Sequence, residues 1–533
     1  MRLRGAGAAR RAGLAGLAGL LLLSSLVACS SSGGSGDDEP DSPDTLRVLA
    51  GSEVKDLVPL LEESGVKVKL SYTGTLDGAE QVAGGAVKGK YDAIWFSSNR
   101  YLSLIDGASA QLSTQTKIMA SPVVLGLRAS KASELGWNTK QVTWADITAA
   151  AAAKKFTFGM TNPASSNSGF SALVGVAAAL SNTGDALDRQ QIAAVEPKLK
   201  EFFSAQTLTA GSSGWLADAY PTANGVDGLI NYESVLLAMN ASGKLKEPLT
   251  IIYPSDGVVT ADYPLTLLSS AATPKRALYA KLAAWLRTPA TQQKIMTTTN
   301  RRPIIPDVRP DQRFGTRTLL ELPFPNRRSA ADELISAYLN EVRRPSRTVF
   351  VLDTSGSMEG ERLDGLKRAL TALTGGDTSA SGTFARFRNR ETVTLLPFNN
   401  APQQSQTFTL PEGDSSPVLT QIRQYSDRLF ASGGTAIFDS LRAAYEQTER
   451  TLKPDEFTSI VLMSDGENTD GSSYDDFASY YQTTPRNIRT FVVLFGDSNS
   501  EEMSKVATLT GGAAFDARSG SLASAFKEIR GYQ

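Results

Sequence analysis

Residues 347–360 read RTVFVLDTSGSMEG. Thr348, Val349, Phe350, Val351 and Leu352 have the β-branched, aromatic and apolar character of a strand buried on both faces. The run then breaks into Asp353-Thr354-Ser355-Gly356-Ser357. Asp353, Ser355 and Ser357 place an oxygen-bearing side chain at every second position where an apolar strand ends. Oxygens gathered this way can hold a ligand that takes hard donors, and the strand before them places the site in a sheet.

Outward from this stretch, apolar strands alternate with amphipathic helices to the end of the chain. Strands are expected over 347–352, 391–398, 458–463, 489–495 and 513–516, and helices over 361–373, 436–449 and 519–529. In ERLDGLKRALTAL (361–373), Leu363, Leu366, Leu370 and Leu373 share one helical face. The alternation predicts a parallel sheet covered by helices on both faces. In such sheets ligands sit beyond the carboxyl ends of the strands.

Two further strand ends carry matching chemistry. SGGTAIFD (432–439) presents Thr435 after two glycines, and SIVLMSDGEN (459–468) is an apolar strand ending at Asp465. Asp353, Ser355, Ser357, Thr435 and Asp465 are all hard oxygen donors. Without nitrogen or sulfur they suit Mg²⁺ first, with Mn²⁺ or Ca²⁺ as alternatives, rather than zinc. Each motif taken alone also reads as ordinary turn and cap chemistry.

D-T-S-G-S, G-G-T and S-D-G, in this order at strand ends, resemble the metal-ion-dependent adhesion site of a von Willebrand factor A domain. The resemblance covers 346–533 and implies a Rossmann-like, doubly wound sheet. It implies that Ser355, Ser357 and Thr435 ligate a divalent cation, with Asp353 and Asp465 contributing directly or through water. One coordination position is then left for an Asp or Glu of a protein partner.

Residues 45–305 also alternate strands and helices. Ser52, Ser97 and Ser98 fall in strand-to-helix turns. The hydroxyl-rich loop Ser165-Ser166-Asn167-Ser168-Gly169 opens a helix. Hydroxyls and free N–H groups at a helix N-terminus suit an anion or a polar carbonyl, and the same serines also read as helix caps. The order of the segments, with NPASSNSGF (162–170), NYES (231–234), YPSDG (253–257), DYPL (262–265) and NRRPIIP (300–306), resembles the type II extracellular solute-binding proteins, near their molybdate- and phosphate-binding branches. The resemblance implies two lobes closing on a small polar or anionic solute at Ser52, Ser97, Ser98, Ser165, Ser166 and Ser168. The alternative is that the domain has become a scaffold.

Residues 1–28 have a positive start (Arg2, Arg4, Arg10, Arg11) and an apolar run, the pattern of a secretory signal. Leu26-Val27-Ala28-Cys29 resembles the lipobox of bacterial lipoproteins. That resemblance implies cleavage before Cys29, acylation of its thiol, and anchoring to the outer face of the cytoplasmic membrane. Residues 29–44 then read as a flexible tether. Residues 306–345 form an arginine-rich joint with one helix. It is read as a solvated connector laying its apolar stripe on one domain, or else as a contact for anionic lipid or wall polymer.

The totals agree with this division. A chain of 533 residues exceeds one hydrophobic core. A net charge of −1 argues against a nucleic-acid partner. There is no histidine, and one cysteine. A Ser-His-Asp triad and a Cys cluster are therefore excluded, and no phosphate-binding P-loop or nucleophile-elbow motif occurs. The expected function is that of a lipid-anchored surface binding protein, not an enzyme. The alternative is the substrate receptor of a transport system, with the A domain docking it to its machinery.

Overall fold

The computed structural model describes residues 42–315, 317–453, 455–483, 488–496, 499–518 and 521–533. The expected signal peptide, the lipidation site Cys29 and most of the tether lie outside the described residues.

The chain opens with β1 (Thr45–Ala50), β2 (Lys67–Tyr72), β3 (Ala93–Trp95) and β4 (Leu112–Lys117). It crosses to a second sheet for β5 (Ser121–Arg128), β6 (Phe158–Thr161), β7 (Gln206–Ala210), β8 (Gly228–Tyr232), β9 (Leu249–Ile252) and β10 (Thr260–Ala261). It returns to the first sheet as β11 (Pro264–Leu268), inserted antiparallel between β3 and β4. The sheet orders are β2-β1-β3-β11-β4 and β10-β5-β8-β6-β7, with β9 also on β5. The segments between the sheets are tied where Ala120 and Arg302 exchange backbone hydrogen bonds of 2.9 and 2.8 Å. These are the two lobes that the sequence pattern predicts.

The C-terminal sheet contains β12 (Ser346–Asp353), β13 (Thr392–Phe398), β14 (Gln406–Thr409), β15 (Phe457–Ser464), β16 (Arg489–Leu494) and β17 (Ala514–Asp516), in the order β14-β13-β12-β15-β16-β17. The five expected strands are present and parallel. The sheet is nevertheless mixed, because β14 pairs antiparallel with β13 at the edge. Only Phe408 of that strand is buried, so its QTFT sequence carries no run of apolar residues to announce it. The chain leaves β12 toward β13 on one side and comes back on the other with β15. This reversal opens a crevice beyond the carboxyl ends of β12 and β15.

The joint lays its apolar stripe on the two-lobed domain, as expected. Leu334, Ile335, Tyr338, Leu339 and Val342 are buried in the core of the solute-binding domain. Tyr338 meets Phe203 edge-on at 5.0 Å and donates to Gln206 Oε1 at 3.2 Å. Several arginines expected on a solvated surface have partners inside the protein. Arg302 forms two 2.7 Å bonds with the buried Glu233 carboxylate, and Arg301 pairs with Asp56 at 2.6 Å. The joint also reaches the first lobe, where Arg328 pairs with Glu80 at 2.8 Å and Tyr101 donates to Asp332 at 2.9 Å.

The two domains share one apolar interior. Phe350 and Leu352 of the A domain belong to the same cluster as Leu208, Leu216 and Leu229 of the second lobe. The amino-terminal edge of the A-domain sheet faces that lobe. Arg489, at the start of β16, lies over the Trp215 ring at 5.7 Å. Beside this contact Glu391 is 1% exposed and bonded by both Arg343 and Arg530. Burial alone would raise its pKa, but the two guanidinium groups hold it below the ordinary carboxylate range. Removing one member of a buried ionic cluster leaves uncompensated charge. Glu391→Ala is expected to cost about 3–5 kcal/mol in denaturant unfolding. A loss below about 1 kcal/mol would mean that water already solvates the cluster.

Candidate functional site

The residues expected to ligate a cation are brought to the carboxyl ends of β12 and β15. Asp353 Oδ1 accepts from the Ser355 N–H at 2.8 Å, and its Oδ2 accepts from Ser464 Oγ at 2.5 Å. Ser355 Oγ lies 2.9 Å from Ser357 Oγ, and Ser357 Oγ donates to Asp465 Oδ1 at 2.8 Å. The Thr435 loop is held against them, with the Gly356 N–H donating to Gly433 C=O at 2.9 Å. Gly433 has φ +78°, and a Cβ there would lie 2.1 Å from Asn400 Oδ1, so the two-glycine turn is needed for this approach. Thr469 and Asp470 accept from the Thr435 N–H at 2.9 and 3.1 Å and fix the loop from its other side.

Asp353 and Asp465 are both fully buried. Burial pushes the Asp353 carboxyl up, and the nearby Asp465 charge adds to the rise. Two buried carboxylates with hydroxyls around them form a donor set that a divalent cation fits. Among the described residues no three Asp, Glu, His or Cys side chains gather as a metal group, so such a site relies on its hydroxyls. The rim is open, since Ser357 and Gly433 are exposed. Two residues that sequence reasoning missed take part. Ser464 begins the S-D-G motif and holds Asp353. Arg362 pairs with Asp465 Oδ2 at 2.5 Å; its place as the second residue of the helix Glu361–Thr371 gave no signal.

The solute serines are divided by the fold. Ser52, Ser165 and Ser166 line the cleft between the lobes. Ser166 stands at the N-cap of helix Asn167–Ser181 yet makes no side-chain cap bond. Ser168 lies in a buried hydroxyl chain, 2.8 Å from Thr161, 3.1 Å from Ser166 and 2.7 Å from Ser213, away from the cleft lining. Ser98 accepts from the Arg100 N–H at 3.2 Å, a turn bond. The Ser97 and Tyr263 hydroxyls are buried without a hydrogen-bond partner of good geometry among the described residues.

Glu53 is the cleft residue that the serine pattern concealed, although it follows Ser52 directly. Burial pushes its carboxyl up, and Arg301 offsets this only in part. Burial also pushes Tyr263 up to about 12.

Residues 54–297 match the family described as bacterial extracellular solute-binding protein, and residues 348–528 match the von Willebrand factor type A domain. The fold is therefore mixed α/β, a periplasmic-binding-protein-like domain followed by a von Willebrand A domain. Inter-alpha-trypsin inhibitor heavy chain H4 of Sus scrofa is 27% identical over 135 residues, which are 24% of this chain and 13% of that protein. An uncharacterized protein of Synechocystis is 28% identical over 131 residues, 25% of this chain and 27% of that protein. The chain thus spans well under a third of either relative. A periplasmic thiamin binding protein superimposes with a TM-score of 0.45 at 12% identity, over 56% of this chain and 96% of its own. A von Willebrand factor type A protein from Catenulispora acidiphila superimposes with a TM-score of 0.29 at 19% identity, over 36% and 43%. Among the described residues no helix is long and apolar enough to cross a membrane.

Glu53 supplies a test by pH. An acid whose folded pKa is raised contributes stability below its unfolded value and loses it as pH rises through the folded value. Glu53→Gln is therefore expected to be more stable than the wild type at neutral pH. The gap should close as pH falls below the ordinary value of 4.5. A thermal-unfolding series that shows no pH-dependent gap would remove the uncompensated charge from this account.

Proposed function

We propose that this chain is an exported, lipid-anchored surface binding protein with two binding modules and no enzymatic activity. The A domain holds a divalent cation, Mg²⁺ before Mn²⁺ or Ca²⁺, and through it an acidic side chain of a protein partner. The observation that carries this reading is the meeting of Asp353, Ser355, Ser357 and Asp465 within a chain of 2.8–2.9 Å contacts. When bound, the cation supplies an electrophilic coordination position. Asp353 and Asp465 balance its charge, and Ser355, Ser357 and Thr435 offer neutral oxygens, so attraction for a further carboxylate is retained. Phe430, five positions before Thr435, is 69% exposed, a bare aromatic of the kind that anchors protein interfaces.

The solute-binding domain takes a small polar ligand in its cleft. Cys29 anchors the chain to the outer face of the membrane. A transport receptor is the second reading, favoured by the intact cleft between the lobes.

Magnesium is expected to raise the unfolding midpoint of the wild type, by a stabilisation of about 2.7 kcal/mol at one hundred times its dissociation constant. EDTA should reverse the shift, and Asp353→Ala should abolish it together with EDTA-sensitive capture of the partner. A wild-type midpoint that ignores magnesium would sink the metal bridge. Phe430→Ala is expected to weaken partner capture by about 1–2 kcal/mol while magnesium affinity, read by calorimetry, is unchanged. Equal capture would take Phe430 out of the interface.

A further inference from the structure

The cleft between the lobes has a third wall. Its sides include Glu53, Asn162 and Ser165 of the lobes, and its roof is formed by Phe384, Lys527 and Tyr532 of the A domain, around a cavity of about 620 Å³. The roof touches both lobes. Phe384 joins the apolar cluster of the solute-binding domain, on helix Ala380–Ala385, which runs beside helix Thr75–Ala83 of the first lobe. Tyr532 packs edge-on against Trp215 of the second lobe at 4.7 Å. It lies so close to the backbone that a Cβ on Gly211 would be 2.6 Å from its ring. Asn162, in the cleft wall, donates to the Arg530 C=O at 3.3 Å. A hinge motion that parts the lobes must pull one of these contacts open.

The charge inside is one-sided. Lys527 is paired with Asp377 and Arg530 with Glu391, both within the A domain. Arg301 is paired with Asp56 and donates to the Glu53 backbone carbonyl at 2.5 Å. Among the described residues the Glu53 carboxylate has only its own backbone N–H as a hydrogen-bond donor, and no side chain forms an ion pair with it, although Arg301 is near enough to act on its charge.

We propose that the A domain is the gate of this cleft: a compact ligand bearing a positive charge, held against Glu53, enters and leaves when the A domain lifts from the first lobe. This deepens the reading of the cleft as a ligand site and rests on it. It also replaces the expected anionic solute with a cationic one. In energetic terms, docking of the A domain and closure of the lobes are one equilibrium, and what favours one favours the other.

The test uses the full chain with Cys29→Ser and Ser165→Cys, which leaves a single thiol in the cleft wall beneath Gly531. The thiol is labelled in EDTA with two methanethiosulfonate reagents of similar size, one carrying trimethylammonium and one sulfonate. Labelling is expected to be slow, to accelerate at least about tenfold when Phe384→Ala is added, and to slow again with Phe384→Leu. Tyr532→Ala, which frees the other lobe, should accelerate it as well and serves if Phe384→Ala fails to fold. Unchanged rates in folded variants of both kinds overturn the gate. With each rate divided by that reagent's rate on a free thiol in solution, the cationic reagent is expected to react at least about tenfold faster than the anionic one, a preference that Glu53→Gln erases. Equal or reversed rates overturn the cationic ligand. Neither readout involves magnesium or a protein partner, so the gate and the metal bridge fail independently.

Discussion

One carboxylate sets the posture of the molecule. Glu391 lies between Arg343, at the end of the joint, and Arg530, in the last helix. The same cluster includes the Gln533 C=O, which accepts from Arg343 at 3.0 Å. Three distant parts of the chain are thereby brought to the amino-terminal edge of the A-domain sheet. Ions so deeply buried are costly unless each finds its partner, so the cluster admits one arrangement and orients Tyr532 toward Trp215. The shared apolar interior then follows from an ionic choice made at its border.

Much of the A domain was legible because its chemistry is local. The run from Thr348 to Leu352 identifies a buried strand by composition, and Asp353, Ser355 and Ser357 mark its end within five residues. Asp465 could be read the same way. The edge strand with Phe408 could not, because a half-exposed strand has no apolar run. Arg362 was hidden for another reason: an arginine on an amphipathic helix looks solvated until its tertiary partner, Asp465, is known.

In the solute-binding domain the order of strands and helices was readable and the site was not. Ser166 and Ser168 are two positions apart and belong to one chain of hydroxyls, yet only Ser166 also lines the cleft. Serine serves caps, cores and ligands alike, and its neighbours in space decide among them. Glu53 was overlooked beside Ser52 because a carboxylate in a turn is usually solvated, and the lobe and A-domain walls that enclose it come from residues hundreds of positions away.

The two sites lie at opposite ends of the same strands. β12 begins at Ser346, at the sheet edge that holds the Glu391 cluster whose Arg530 lines the cleft, and ends at Asp353, a run of seven steps or roughly 23 Å. If the protein is tethered at its amino terminus while a partner holds the metal site, tension runs lengthwise through β12 and β15. Parallel strands loaded along their axis resist in shear, with many hydrogen bonds sharing the force. The roof over the cleft has only side-chain contacts and a few hydrogen bonds to oppose it. Under load the sheet stays whole, and the weakest link in the line of force is the seam between the A domain and the lobes.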